Sequence, residues 1–173
     1  GSTEQLDAKL VLDTLKPLLE DPNRGKAAQN GKYDLQVLKR AGINVQGLVF
    51  DSMLANYLLA PNRYRHGLDH LALDWLNHKT ISFSEVVEDS GKELGFAGVP
   101  LEAAKVYACE DAQLVMALYE RMAPEMDSKG VLPLFEHVEM PLVPILAKMQ
   151  TTGVRVNTEM LQDLSATMGE KAK

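Results

Sequence analysis

An aspartate occupies one position of an apolar helical pattern, where a carboxylate is expensive to bury. From Pro100 to about Met122, apolar side chains recur at spacings of three and four, and Asp111 falls within that series. Tyr107 precedes it by four residues, so a phenol and a carboxylate share one helix face. A buried carboxylate costs several kcal/mol unless it is paired, hydrogen-bonded or bound to a cation. Two interpretations stay open: a satisfied polar pair, or a cation-binding group in a cleft.

A second carboxylate follows a predicted strand and turn. Residues 27–34 indicate a strand end, a turn with Asn30 as the helix N-cap, and a helix whose first turn contains Asp34. Asp34 could simply interact with the helix dipole. It also shares a helical stripe with Leu38 and Ala41, which predicts that it points inward. Two inward carboxylates, one beside a tyrosine, suggest a site for a divalent metal such as Mg²⁺ or Mn²⁺, which prefer oxygen ligands.

The segments 29–34 and 107–111, with their order and spacing, resemble the second exonuclease motif and the tyrosine-bearing third motif of the bacterial DNA polymerase I family (family A, Klenow-type). Further matching segments are Phe50–Leu54, Arg65–Ala72, Leu76–Phe83 and Glu136–Pro144. Each motif is weak by itself, but their order makes the resemblance specific and extends it over nearly the whole chain.

The resemblance implies a 3′→5′ proofreading exonuclease of the ribonuclease-H-like superfamily that uses two metal ions. It implies that Asp34 and Asp111 are metal ligands and that Tyr107 orients the attacking water. The substrate-binding residues implied by the resemblance, which would line the cleft or contact a single-stranded 3′ end of DNA, are Gln29, Asn30, Tyr33, Arg65 and Phe83. For Phe83, a place in the hydrophobic core is an equally good interpretation.

The chain departs from the family pattern at the first motif, because it contains no Asp-X-Glu. We therefore expect an N-terminally truncated α/β fold, mainly helical with a small remnant sheet, that is inactive in isolation. Residues 1–2 are interpreted as an expression-tag scar, residues 3–134 as a partial exonuclease domain lacking its first strands, and residues 135–173 as a helical junction into the polymerase domain. The uncovered sheet edge predicts self-association.

Length, composition and charge exclude several classes of protein. The chain has 173 residues, 46% of them hydrophobic, and a single cysteine, so an internal disulfide is excluded and a reducing compartment such as the bacterial cytoplasm is expected. No apolar run reaches membrane-spanning length. A formal net charge of −6 argues against nonspecific wrapping of nucleic acid. A local basic segment at 62–66 is the predicted DNA contact.

Periodicity predicts a mostly helical chain. The predicted strands cover 26–29 and 45–50, and 85–99 is predicted to be a flexible loop. Asp51 is predicted to cap a helix, and the histidines at 66, 70 and 78 are predicted to lie at the surface. The predicted helices cover 6–20, 32–41, 52–59, 67–77 and 100–126, with further helices from about 135 and after the cap Asn157.

Two other functions remain open from the sequence. A noncatalytic exonuclease-like scaffold supporting a polymerase is the main alternative, although the presence of Asp34, Tyr107 and Asp111 favours catalysis. The other is an unrelated helical interaction module, which the ordered series of motifs disfavours.

Overall fold

The computed structural model describes residues 5–88 and 95–171; the tag assignment at 1–2 and the central part of the predicted loop, 89–94, lie outside these ranges. The elements are α1 (Ala8–Glu20), β1 (Lys26–Ala28), α2 (Gly31–Arg40), β2 (Leu48–Asp51), α3 (Ser52–Leu59), α4 (Leu68–Leu76), α5 (Phe83–Glu88), a 3₁₀ turn (Gly95–Gly98), α6 (Leu101–Ser128), α7 (Leu132–Leu134), a π-helical turn (Phe135–Glu139), α8 (Met140–Thr152) and α9 (Thr158–Lys171).

The two described strands form a parallel pair connected through α2. Ala27 is opposite Phe50 and Ala28 is opposite Asp51, with an irregularity after Lys26. Parallel strands need a crossover, and a helix is the usual one. Because both strands run the same way, the turns into α2 and α3 emerge at the same edge of the sheet. The expected small remnant sheet in a mainly helical fold is confirmed.

Gly47 is required for the chain to enter β2. Its φ is +69°, and an added Cβ would lie 2.7 Å from the carbonyl oxygen of Arg24 and 2.9 Å from that of Pro22. Any side chain would therefore clash with backbone as well as strain a left-handed conformation. This close approach brings the loop after α1 against the start of β2.

The core lies between the sheet and the long helix α6, which packs on α3, α4 and β1. Phe50 of β2 is fully buried and meets the ring of Tyr119 edge-on, with 5.1 Å between ring centroids. The large side chains of the core cluster that are almost completely buried are Phe50, Leu71, Leu118, Met122, Met126 and Phe135. The predicted apolar stripe of α6 is only partly buried: its second half is in the core, whereas Leu101 and Ala108 are exposed. Asp111 therefore lies where the helix leaves the core.

The predicted helix boundaries agree with the structure to within about two residues for the first five predicted helices. The prediction of a flexible loop over 85–99 is wrong at both ends, which form α5 and the 3₁₀ turn. Ser82 explains α5, because its side chain accepts from the Glu85 N–H while its N–H and hydroxyl donate to the Glu85 carboxylate.

Two prolines fall within the predicted helix after residue 135, and the helix continues through both. A proline removes one helical N–H, so a break or kink is the usual expectation. Instead, the π-helical turn Phe135–Glu139 lies directly before Pro141, and α8 contains Pro144. Gly153 ends α8, and Asn157 caps α9 by accepting from the Met160 N–H, both as predicted.

Within the described ranges, no single helix is long and apolar enough to cross a membrane; Leu101–Ser128 and Leu132–Thr152 pass that test only together, as a pair bent by 115°.

Candidate functional site

The carboxyl edge of the sheet is organised around Asp51, which is 1% exposed. As predicted, it caps α3: Oδ1 accepts from the N–H groups of Met53 at 2.9 Å and Leu54 at 3.3 Å. The same carboxylate also reaches the first turn of α2, accepting from Asn30 at 3.2 Å and from Gly31 at 2.7 Å. Burial raises the pKa of Asp51 even though these four N–H groups oppose the rise. One carboxylate therefore serves two helix N-termini.

The N-cap assigned to Asn30 is only half right. Asn30 holds the N-cap position of α2, but its φ is 57° and its side chain makes no capping hydrogen bond within the described structure. The Asp51 carboxylate instead accepts from the backbone N–H groups of Asn30 and Gly31. Sequence reasoning missed this second role of Asp51 because the two residues are 21 positions apart.

Asp34 lies on the first turn of α2, close to this edge. The prediction that it points inward is wrong, since its side chain is exposed, as is that of Tyr33. Burial by surrounding atoms nevertheless raises the pKa of Asp34, and the negative charge of Asp51 raises it further. Asp34 is thus a surface carboxylate held next to a second, buried carboxylate.

Gln29 is tied into the protein through its side-chain amide. Its Nε2 donates to the carbonyl oxygen of His66 at 2.7 Å, and its Oε1 accepts from the hydroxyl of Ser52. The same hydroxyl lies 3.3 Å from the Ala28 carbonyl oxygen. Gln29 therefore connects the end of β1 with the start of α3 and with the loop before α4.

His66 is buried, with 7% of its surface exposed, so the prediction of a surface histidine is wrong for this residue. Its ring stacks on Tyr57 with 3.7 Å between centroids. Trp75 Nε1 donates to Asn56 Oδ1 at 3.0 Å, which orients the Asn56 amide so that Nδ2 donates to His66 Nδ1 at 2.7 Å. We call Gln29, Ser52, Asn56, His66 and Trp75 the strand-end network. An asparagine inside an apolar helix was the sequence signal for it.

The predicted basic segment before α4 is largely engaged in pairs. Arg63 pairs with Asp74, and the exposed Arg65 lies 3.1 Å from His70 Nε2 through its Nη1. Arg65 remains accessible to a ligand, whereas Arg63 is already neutralised by a carboxylate.

The second part of the site lies on α6. The side chains of Tyr107 and Asp111 interact with each other, as expected for residues on one helix face. Burial raises the pKa of Asp111, the interaction with the Tyr107 hydroxyl lowers it, and the charges of Asp69 and Glu110 raise it further. Burial likewise raises the pKa of Tyr107, with Asp111 as the next cause. Asp69, in the first turn of α4, was missed, because a first-turn acidic residue is ordinary in any helix.

Three aromatic rings lie against this acidic group. Phe83 is 54% exposed, which decides against the core interpretation. It stacks with Phe96 at 6.0 Å and an interplanar angle of 14°, and Tyr107 meets both rings at 6.4 and 6.0 Å. Phe96 was missed because it falls in the predicted loop. We call Asp69, Phe83, Phe96, Tyr107 and Asp111 the aromatic–acidic cluster.

The two carboxylates singled out from the sequence have different neighbours. Asp34 interacts with the charge of Asp51, and Asp111 with those of Asp69 and Glu110. Over residues 5–88 and 95–171, no three histidine, cysteine or acidic side chains converge in a way that could hold a metal ion. The oxygen donors are of the type that Mg²⁺ and Mn²⁺ prefer, but these residues do not complete a metal site.

Glu110 secures the segment that leads to Phe83. Its Oε1 lies 2.8 Å from His78 Nε2, and its Oε2 accepts from the Ile81 N–H at 2.8 Å. These hydrogen bonds, with that from His78 the larger effect, lower the pKa of Glu110 from 4.5.

The replacement Glu110→Gln should lower the melting temperature at pH 7. The pKa of Glu110 is lower in the folded chain than in the unfolded chain, where it is near 4.5. The ionised carboxylate therefore stabilises the fold above that pH, and this stabilisation is lost as the pH falls through the pKa of the folded state. We expect a loss of about 0.5–1 kcal/mol at neutral pH that closes as the pH falls through the lowered pKa of the folded state. Thermal melts of both proteins across pH 3–7 measure it; a difference that grows in acid would contradict the assignment.

The mainly helical fold with a parallel strand–helix–strand unit fits a fragment of the ribonuclease-H-like exonuclease class. The family model described as 3′-5′ exonuclease of DNA polymerase A matches residues 2–127, and the chain belongs to this family.

Similar proteins agree with that assignment. The chain is 38% identical to DNA polymerase I of Pseudomonas aeruginosa over 99% of its length, and 37% identical to DNA polymerase I of Treponema pallidum over 92%. It spans 19% and 16% of the length of these relatives, respectively.

Solved structures show the same fold. The POL domain of Pol1 from M. smegmatis, in complex with DNA primer-template and dNTP, aligns with a TM-score of 0.76 over 96% of this chain and 25% of that one, at 23% identity. A structure described as the apo form of the nuclease aligns with a TM-score of 0.64 over 80% of this chain and 64% of that one, at 21% identity.

Proposed function

We propose that this chain supplies part of a 3′→5′ proofreading exonuclease site that removes 3′-terminal nucleotides from DNA within a DNA polymerase I. The observation that carries the proposal is the Tyr107–Asp111 pair, partly buried beside exposed aromatic rings. A desolvated carboxylate with acidic neighbours is costly, and a purely structural helix would lose little by replacing it. The family membership of the chain supports the same reaction.

The side chains of the cluster suit hydrolysis of a phosphodiester. A raised pKa keeps the Tyr107 hydroxyl protonated at neutral pH, so it can orient a water molecule while remaining hydrogen-bonded to Asp111. The water oxygen attacks phosphorus and gives up a proton, the bond from phosphorus to the 3′ oxygen breaks, and that oxygen takes up a proton, so that a nucleoside monophosphate leaves a strand with a free 3′-hydroxyl. Tyr107 holds the nucleophile in place without being consumed.

The exposed rings suit a frayed single strand. The rings of Phe83 and Phe96 are nearly parallel and stacked. An aromatic ring can stack on any base, so such contacts do not depend on sequence. Arg65 can contact a phosphate without reading sequence. On the α2 side, we assign Asn30 and Tyr33 to the wall of the cleft, whereas Gln29 supports that wall from inside through its bonds to Ser52 and His66.

Activity that depends on Mg²⁺ or Mn²⁺ requires a site with its full set of metal ligands. The donors described in this chain do not form a three-ligand group, so we propose that carboxylates outside it complete the set together with Asp34 and Asp111. We therefore propose that the isolated chain is inactive. A longer polypeptide carrying an Asp-X-Glu upstream would be active.

Digestion of a single-stranded oligonucleotide labelled at its 5′ end tests this function. In a polypeptide extended upstream, Asp34→Asn should lower the rate of Mg²⁺-dependent shortening by at least roughly a hundredfold. The control Asp13→Asn removes an exposed carboxylate on α1 that pairs with Lys9, and should digest normally. Equal rates for both variants would refute the role of Asp34.

The alternative is a noncatalytic scaffold that supports the polymerase. The lack of a three-ligand group among the described residues favours it. It predicts that the extended polypeptide leaves the 3′ end intact even before any substitution.

A further inference from the structure

Asp51 joins two helix N-termini that are far apart in sequence. An ordinary N-cap accepts from N–H groups of its own helix, and Asp51 does so for α3 through Oδ1. It also accepts from Gly31 through Oδ2 and from Asn30 through Oδ1. The first turn of α2 thus has its cap on a neighbouring strand.

The fit around this contact is tight. A Cβ placed on Gly31 would lie 3.0 Å from the side chains of both Ala28 and Leu48, and 3.5 Å from Asp51 Oδ2. Glycine lets the α2 backbone approach the carboxylate closely enough for the 2.7 Å bond. The contact is buried, so water is a poor substitute for either partner.

We propose that Asp51 is a positioning residue, whose carboxylate binds the first turn of α2 to the end of β2 and so fixes where Asp34 lies relative to the rest of the site. Asp51 acts through the α2 backbone and does not touch the substrate. Asp34 is three residues beyond Gly31, on the turn that the Oδ2 bond secures. The activity part of this proposal rests on the function proposed above, whereas the structural part does not.

Asparagine cannot replace this carboxylate, although it is nearly the same size. All four groups that face it are N–H donors, and an amide has only one acceptor oxygen. If the amide oxygen stays with Met53 and Leu54, its NH₂ group faces the Gly31 N–H. The α3 cap is then kept and the α2 bond is lost.

Amide hydrogen exchange of Asp51→Asn in the present chain tests the structural part. Exchange at Gly31 should accelerate at least tenfold relative to the parent chain, with exchange at Leu10 in α1 unchanged. The control Asp7→Asn alters the cap of α1, which accepts from the Leu10 N–H, so exchange at Gly31 should not change. Unchanged exchange at Gly31 in Asp51→Asn would overturn the proposal.

Steady-state digestion by the extended polypeptide tests the positioning role. Asp51→Asn should lower kcat at least tenfold and leave KM within about twofold, because the substrate contacts are untouched. An unchanged kcat, or a rise in KM alone, would overturn the role.

If Asp51→Asn does not fold, the variant Gly31→Ala is used instead. Its added methyl group displaces the first turn of α2 and leaves the Asp51 charge in place, and the same outcomes apply. If the parent polypeptide is inactive, the proposed function fails, and the exchange result alone decides the bond between Asp51 and α2.

Discussion

Replacing Asp111 with asparagine should lower 3′-end digestion by an extended polypeptide at least roughly a hundredfold and, in the same protein, raise the melting temperature. The carboxylate is desolvated and faces the charges of Asp69 and Glu110, which together raise its pKa. Asparagine keeps an acceptor for the Tyr107 hydroxyl but removes the charge. We expect a gain of about 1 kcal/mol or less at pH 7, or roughly 1–3 °C.

The pH dependence of that gain has a definite sign. A folded pKa above the unfolded value of 3.8 means that folding takes up a proton, so the parent chain becomes relatively more stable as the pH falls toward the folded value. The difference in melting temperature should therefore shrink toward about pH 4. The control is Asp127→Asn, which removes an exposed carboxylate from the same helix. Loss of stability in Asp111→Asn, or normal digestion, would show that Asp111 is a structural residue.

Replacing Asn56 with alanine should destabilise the chain by about 2–4 kcal/mol, the largest loss that we expect from a single polar side chain here. Asn56 is 2% exposed and bonds both Trp75 and His66. Its removal takes away the partner of a partly buried indole N–H and of a buried imidazole nitrogen. Chemical denaturation with urea measures the change as a shift of the midpoint.

The matched control for Asn56→Ala is Trp75→Phe. It keeps an aromatic ring and removes only the N–H donor to Asn56, so a smaller loss of about 1–2 kcal/mol is expected. Equal effects for the two substitutions would mean that the bond from Asn56 to His66 contributes nothing. Since the His66 carbonyl also holds Gln29, a drop in digestion that exceeds the loss of folded protein would connect the strand-end network to the site.

The architecture could be predicted where local chemistry decides it. The helix α3 begins after Asp51 and ends at Leu59, as predicted. The capping carboxylate marks its start, and the apolar run that follows shows how far it extends. The pairing of Tyr107 with Asp111 also followed from the sequence, since residues four apart on a helix share a face. Such inferences need no knowledge of what packs against the helix.

Errors appear where a neighbour in space decides the outcome. The sequence predicted a surface position for His66, but Tyr57, Asn56 and the loop before α4 enclose it. It predicted an inward Asp34, but the residue is exposed in the structure. Phe83 could not be assigned from its own segment, because its exposure depends on how α5 lies against Phe96 and Tyr107.

The order and spacing of the motifs, the capping residues and the helical periodicity by themselves determined the family, the mainly helical fold and the two carboxylates. Only the tertiary structure decided that Asp51 holds α2 as well as α3, that Asp69 and Phe96 join the site, and that Asp34 and Asp111 have separate neighbours. The physical reason is the separation along the chain of the residues that interact. Caps and helix faces arise between residues a few positions apart, whereas burial, charge neighbours and shared hydrogen bonds depend on which distant segments the fold brings into contact.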